Sequence, residues 1–199
     1  MNFDHEDDAI QYMTEFIILI IVGTSSNELI STLHLQKEVF LIQNFDPEIK
    51  EEFFHFIKNY KGPFSRRIHE TIRNPFFLAD SWKYVEPANN DKLTGGFVSI
   101  TNQGKKEYKE LLCSIKNAEK DQQKHLFNLL AGIKIVTELY NKLNPEELLL
   151  LIYDTYPQYT EKSNIYFQLN KNRAKIASQL YEKGFIDKSK CRSLAEGKQ

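Results

Sequence analysis

The sequence has little of what marks specialised chemistry. It contains two cysteines, Cys113 and Cys191, which lie far apart, so no disulfide framework and no cysteine-based zinc motif is indicated. Its five histidines are scattered, and it has neither a glycine-rich phosphate loop nor a G-x-S-x-G nucleophile motif. We therefore expect a non-enzymatic protein without a metal or other cofactor, in the reducing environment of the cytoplasm.

Long apolar runs are also missing. The run Phe16–Val22 has seven residues, whereas a membrane-spanning helix needs about 20. The N-terminus opens on the acidic segment Asp4–Asp8, where a signal peptide would carry positive charge. We therefore expect no membrane partner and no secretory leader.

No strong excess of charge is present either. With 26 basic and 27 acidic residues the net charge is -1, which argues against a protein that coats a polyanion. Residues 1–117 carry a net charge of -4, and residues 118–199 carry +3. A basic tail of this kind suits nucleic acid, an acidic partner or simply a solvated lysine-rich surface.

The most informative segment that is present is Tyr60–Arg73. Gly62-Pro63 interrupts the chain, and Ser65 is a favourable N-cap for the helix that follows. Helices are predicted before this segment, and the strands Trp82–Glu86 and Gly96–Thr101 are predicted after it. This order predicts a mainly α fold with a small two-stranded β wing: a winged helix over residues 1–117, followed by a C-terminal helical domain over 118–199.

Local patterns place further elements around this segment. A helix is expected over Asp8–Val22, capped by Asp7 or Asp8, and a short helix over Glu28–Ser31. Apolar spacing predicts a helix to Phe45 and another over Glu48–Lys58. Thr101 is expected to cap the helix that leaves the wing.

A winged helix suggests a way to bind DNA. Its recognition helix enters the major groove, and its wing touches the phosphate backbone. The candidate DNA-binding residues are Ser65, Arg66, Arg67, His69, Arg73, Lys83, Lys92, Lys105 and Lys106. The alternative is that Arg66 and Arg67 pair with Glu70 or other acids on an ordinary surface.

A heptad pattern follows the wing. Its apolar residues are separated by 3, 4, 3, 4 and 3 positions, at Leu126, Leu129, Ile133, Val136, Tyr140 and Leu143. The pattern covers fewer than three heptads, so packing within the chain and dimerisation through residues 119–143 fit it equally well. Asn144-Pro145 then predicts the start of another helix.

Three segments support a resemblance: LQKEVFLI (Leu35–Ile42), YKGPFSRRIHETI (Tyr60–Ile72) and GFVSITNQGKKEY (Gly96–Tyr108). Together they resemble a group of small prokaryotic winged-helix proteins with an LQK helix, a Y-GP-(F/Y)-S turn and a strand ending in T-x-x-G. Panacea-type antitoxin domains show a related pattern, and so do small middle subunits of three-component anti-phage systems built around SMC-like ATPases. The resemblance covers roughly residues 9–112.

The tail carries a second resemblance. Segments Leu148–Ile165 and Arg173–Gly197 are similar to tails of archaeal proteins that end in a small antitoxin-type helix-turn-helix. Where that motif usually has small residues, this sequence has Lys188, Lys190 and Arg192. The resemblance therefore implies an archaeal source and a degenerate helix-turn-helix at 173–197 that serves for docking or is a relic.

Two functions follow as expectations. The first is a cytoplasmic DNA-binding regulator or antitoxin-like protein, working as a homodimer on duplex DNA. The second is an interaction subunit that binds a toxin or a defence-complex protein without reading DNA.

Overall fold

The computed structural model describes residues 6–47, 49, 53–91 and 93–197, apart from the side chain of Gln122. Within these ranges the chain divides into two compact units. The first contains the described residues up to 56 together with 65–142, and the second contains 57–64 together with those from 143 onward. This division differs from the predicted boundary at 117/118, because the helix over 120–140 packs with the first unit.

The described chain is mainly helical, as predicted. None of its helices is long and apolar enough to cross a membrane, within the part of the chain that is described. In chain order the helices are α1 (Glu6–Thr24), α2 (Thr32–Phe45), α3 (Arg66–Arg73), α4 (Asn102–Lys116), α5 (Lys120–Tyr140), α6 (Pro145–Thr155), α7 (Tyr166–Lys171), α8 (Arg173–Glu182) and α9 (Lys188–Glu196).

Five short strands are described: β1 (Ile30–Ser31), β2 (Ile57–Asn59), β3 (Gly62–Phe64), β4 (Trp82–Val85) and β5 (Phe97–Ile100). β4 and β5 form the two predicted wing strands and pair antiparallel, with Trp82 opposite Ile100 and Val85 opposite Phe97. β1 adds to the other edge of β5, which gives the strand order β1-β5-β4. β2 and β3 form a separate hairpin in the second unit.

α1 is the central helix of the first unit. Residues Thr14–Val22 are buried on every side of the helix, and they form the core together with α2, α3, β5 and α5. Asp7 and Asp8 were predicted as N-caps, but both lie inside the first turn of α1. Acidic residues are favourable there because they interact with the positive end of the helix dipole.

Two predicted helices are not found among the described residues. Glu28–Ser31 was expected to be a short helix, but Ile30 and Ser31 pair with Val98 and Phe97 as β1. The second helix was predicted over 48–58, but the described residues of this range contain no α-helix, and Ile57 and Lys58 belong to β2 and pair with β3; residues 48 and 50–52 lie outside the described ranges. At Ile30 and Ser31, pairing with the distant strand β5 overrides the local pattern, whereas β2 pairs with the neighbouring strand β3 across the turn Tyr60-Lys61.

The predicted heptad seam lies on α5 and faces inward. Leu129, Ile133 and Val136 belong to the core of the first unit, and Leu143, at the start of the second unit, is buried as well. Leu126 and Tyr140 are half-buried. The seam therefore packs within the chain. Those of its side chains that are buried in the core are not available for contact with a second chain.

The core between α2 and α5 contains an acid. Glu38 is fully buried, and Thr137 donates a long hydrogen bond of 3.5 Å to its Oε2. Its Oε1 has no hydrogen-bond partner among the described residues. Burial raises the pKa of Glu38 well above its usual value, and the Thr137 hydrogen bond lowers it by less. We therefore expect Glu38 to hold its proton at a pH where an exposed glutamate is ionised.

We expect the substitution Glu38→Gln to stabilise the protein at alkaline pH. The pKa of Glu38 is higher in the folded chain, so its contribution is fully present below the unfolded pKa of 4.5 and is lost as pH rises through the folded pKa. Between the two pKa values the free energy of unfolding should fall by up to about 1.4 kcal/mol per pH unit. Glutamine removes this loss because it stays neutral.

Urea denaturation of the wild type and Glu38→Gln between about pH 5 and pH 9 measures the effect. Glu110→Gln makes the same chemical change on the exposed surface of α4 and serves as the control. If Glu38→Gln and the wild type lose stability in parallel as pH rises, the buried acid is not the cause.

Salt bridges connect the helices of the second unit. α6 starts at Pro145, where a helix start was predicted, and Asn144 and Glu147 form a capping box there. Glu147 also accepts a hydrogen bond from Lys183 at 2.7 Å. Asp154, at the other end of α6, pairs with Arg173 of α8 at 3.2 Å and Lys190 of α9 at 2.6 Å. Some of the basic residues that give the C-terminal part its positive charge therefore pair with acids of the same unit.

Candidate functional site

The start of α3 is fixed by a side chain from α2. The Gln36 amide donates a hydrogen bond to the Ser65 carbonyl at 2.8 Å and accepts one from the Ser65 N–H at 2.9 Å. The Ser65 hydroxyl accepts a hydrogen bond from the Ile68 N–H, which makes Ser65 the predicted N-cap. Ser65 is fully buried, so it positions the helix and is not a surface group that could contact DNA.

The first two arginines of α3 face acids of the same chain. Arg66 donates a hydrogen bond to Glu70 at 2.7 Å, and its side chain is 84% exposed. Arg67 lies 3.8 Å from the Asp7 carboxylate at the start of α1 and is more covered. Both cations are therefore offset by a neighbouring negative charge, although exposed ion pairs of this kind are weak and exchange readily.

Arg73, at the end of α3, is held by the wing. Its guanidinium lies over the Tyr84 ring, 4.2 Å from the centroid, and donates a hydrogen bond to His69 Nδ1 at 3.0 Å. Glu86 lies 4.0 Å away. Burial and the nearby Arg73 lower the pKa of His69, which favours the neutral ring that can accept this hydrogen bond. These contacts fix both residues at the junction of α3 and the wing.

Among the described residues, the predicted lysines Lys83 and Lys105 do not join these arginines on one surface. Lys83 and Tyr84 are successive residues of β4, so Lys83 extends from the face of the sheet opposite to the one that holds Arg73. Lys105 lies with Lys109 and Tyr108 on a different cleft of about 460 Å³, between α4 and the end of α1. Lys106 lies 3.8 Å from Glu110, and Lys92 lies outside the described residues.

A cleft of about 620 Å³ opens beside α3 in the first unit and is here called the α3 cleft. Cations, acids, amides and aromatic rings all contribute to its walls. His55 holds a left-handed backbone (φ 46°), which is uncommon for a residue other than glycine. The lining residues are Asp8, Gln11, Phe54, His55, Arg66, Arg67, Glu70, Thr71, Asn74 and Phe76.

One end of the α3 cleft is formed by a loop that a buried acid holds in place. The Glu15 carboxylate accepts hydrogen bonds from the N–H groups of Phe76, Phe77 and Leu78 at 2.6–2.8 Å. Glu15 is fully buried, and Gln11 donates a fourth hydrogen bond to it at 2.6 Å. The loop therefore has a defined conformation although it lies outside any helix or strand.

This loop presents Phe76 to solvent. The Phe76 ring is 74% exposed and packs edge-on against Phe77, with 4.9 Å between the ring centroids. Neither the exposed ring of Phe76 nor the role of Glu15 was expected from the sequence. The position of Glu15, directly before the apolar run Phe16–Val22, was the pattern that could have indicated a buried anchor.

The described residues contain no group of three His, Cys, Asp or Glu side chains placed to hold a metal ion. No protein-family model matches the sequence, and no curated protein matches it closely enough to count as a relative.

Proposed function

We propose that this chain is a non-enzymatic binding protein that holds a partner protein at the α3 cleft. The proposal rests on the exposure of Phe76. This large apolar side chain is 74% exposed, and Glu15 fixes the loop that carries it. Exposed aromatic anchors on rigid backbone are typical of the few residues that dominate protein–protein binding. A toxin or a defence-complex subunit is the class of partner that the resemblance implies.

The charges of the cleft support a protein as the partner. Arg66 and Arg67 are each offset by an acid, and Glu70 lines the cleft together with them. A surface with both signs of charge suits a polypeptide, which carries both signs itself, better than a polyanion. Of the predicted DNA-binding lysines, Lys83 and Lys105 lie on other surfaces and do not add positive charge here.

DNA binding by a winged-helix regulator or antitoxin-like protein is the second candidate. Arg66 favours it, because its side chain is 84% exposed and the surface ion pair with Glu70 could be exchanged for a phosphate contact. In this case Arg66 and Arg67 should each contribute about one unit to the slope of log affinity against log salt.

A photo-crosslinking residue in place of Phe76 tests the leading proposal. We expect a single adduct with one protein in cells of the source organism. The matched control is the same residue in place of Phe167, a phenylalanine of the second unit that is 72% exposed. With the captured protein purified, Phe76→Ala should weaken binding by about 10-fold to 100-fold, as loss of an aromatic anchor does, and Phe167→Ala should not.

Two results would overturn the leading proposal. One is equal binding of the purified partner by the wild type and Phe76→Ala. The other is salt-sensitive binding of duplex DNA that Arg66→Ala with Arg67→Ala abolishes, together with a nucleic-acid adduct at position 76. The second result would establish the DNA-binding candidate instead.

A further inference from the structure

α5 has a second apolar row on the side opposite its core seam. Ile135 is 56% exposed, Leu139 is 44% exposed and Phe127 is 42% exposed, and Ala131 between them is exposed too. These four residues are spaced four apart, so they form one continuous ridge along the helix. We call Phe127, Ala131, Ile135 and Leu139 the α5 ridge.

Phe45, at the end of α2, extends this surface. Its ring is 69% exposed and lies against Gly132, only 3.2 Å from where a Cβ at that position would be. Gly132 has no side chain, which leaves room for the ring beside the helix. Leu139 lies two turns further along the same side of α5 as Gly132. The ring therefore continues the α5 ridge on one flank.

We propose that the α5 ridge binds the α5 ridge of a second copy of this chain in an antiparallel, two-fold symmetric dimer. The axis passes at the level of Ile133. Each Ala131 then faces the Ile135 of the other copy, and each Phe127 faces the other Leu139. Rows spaced by four residues pack ridge into groove at a crossing angle of about -50°.

The pattern of sizes and charges supports a second copy as the occupant. Within the ridge the small Ala131 leaves a groove where the branched Ile135 of the other copy fits, and this match occurs twice because of the symmetry. Lys134 and Glu138 flank the ridge and lie 3.7 Å apart, so their charges offset each other. Residues 126–141 contain no other charged side chain.

The α5 ridge differs from the seam that the sequence predicted for the dimer. The seam residues Leu129, Ile133 and Val136 are in the core, whereas the ridge lies on the outer side of the same helix. The contact surface is small, with five apolar side chains from each copy. We therefore expect a weak dimer that forms in the micromolar range, as small interfaces do.

Light scattering on the full chain from about 5 to about 500 µM measures the dimer. We expect the wild type to shift from monomer towards dimer over this range. Ile135→Asp should weaken the dimer by at least about tenfold, because it brings two carboxylates into an apolar contact. Leu29→Asp adds the same charge at a similarly exposed apolar residue (52%) of the first unit, and it should leave the dimer intact.

A disulfide tests the geometry independently of stability. Cys113 and Cys191 are free and would first be replaced by serine. The two variants Ala131→Cys and Ile135→Cys are then mixed and oxidised. The disulfide between the two variants should form faster than the disulfide that either variant forms with a second copy of itself. A wild type that stays monomeric throughout overturns the proposal. A dimer whose affinity is unchanged by Ile135→Asp also overturns it. So does a dimer that forms the 131–131 disulfide in preference to the 131–135 disulfide.

Discussion

Replacing Glu15 with alanine should destabilise the protein by at least about 4 kcal/mol, a large part of the usual stability of a domain. The carboxylate is fully buried and accepts three backbone hydrogen bonds from the loop that carries Phe76. Alanine removes the acceptor of these three N–H groups and the side chain that fills this buried position, and each donor left unsatisfied and shielded from water costs about 1–3 kcal/mol. Urea denaturation followed by circular dichroism measures the loss.

Two further variants make this prediction specific. Glu28→Ala removes an exposed acid and should change stability by less than about 0.5 kcal/mol. Glu15→Gln keeps one acceptor oxygen of similar shape and should give an intermediate loss. Should Glu15→Ala unfold at the same urea concentration as the wild type, Glu15 would not be the anchor of the loop.

The second large effect is expected for Gly104→Ala at the start of α4. A Cβ at this position would overlap the carbonyl group of Ser81 and would lie 2.9 Å from Ile100 Cγ1. The Ser81 carbonyl cannot move away easily, because it accepts the Thr101 N–H at 3.0 Å. We expect a loss of about 3 kcal/mol or more, since overpacking against backbone forces the helix to shift.

Gln103→Ala tests whether the effect belongs to Gly104 alone. It places alanine on the exposed side of the same turn and should change the unfolding free energy little. In an ordinary helix, alanine in place of glycine is stabilising by about 1 kcal/mol. A Gly104→Ala protein more stable than the wild type would therefore show that α4 does not pack against Ser81 as described.

Gly104 also shows which parts of the fold a sequence can predict. Ser65, Thr101 and Asn144 each accept the N–H of the residue three positions later, so the starts of α3, α4 and α6 are local properties. The T-x-x-G pattern has a similar explanation. Thr101 accepts the Gly104 N–H at 3.0 Å, and Gly104 lets the helix approach the loop before the wing.

Features that depend on distant residues were harder to predict. The pairing of β1 with β5 joins Ile30 to Val98, and nothing near Ile30 indicates it. The heptad pattern on α5 shows an apolar seam but cannot show whether another chain or α1 covers it. Here the seam belongs to the core that surrounds α1.

The candidate site shows the same limit. The sequence identified the arginines of α3 as exposed, polar candidates. It could not show that Asp7 lies 3.8 Å from Arg67 or that Tyr84 lies under Arg73, because these partners come from other elements. The role of Glu15 in presenting Phe76 likewise joins residues that are 61 positions apart.

The hairpin β2–β3 gives the chain an unusual order of assembly. It precedes α3 in the sequence, but Tyr60 accepts a hydrogen bond from Asn164 at 3.1 Å and Lys58 binds Glu161 at 2.6 Å, both in the second unit. During synthesis the hairpin leaves the ribosome long before those partners exist. A fragment that stops at residue 142 keeps a hairpin without its partners, and a fragment that begins at 143 lacks the hairpin. Neither unit therefore corresponds to one continuous piece of the gene that could be inherited, exchanged or expressed by itself.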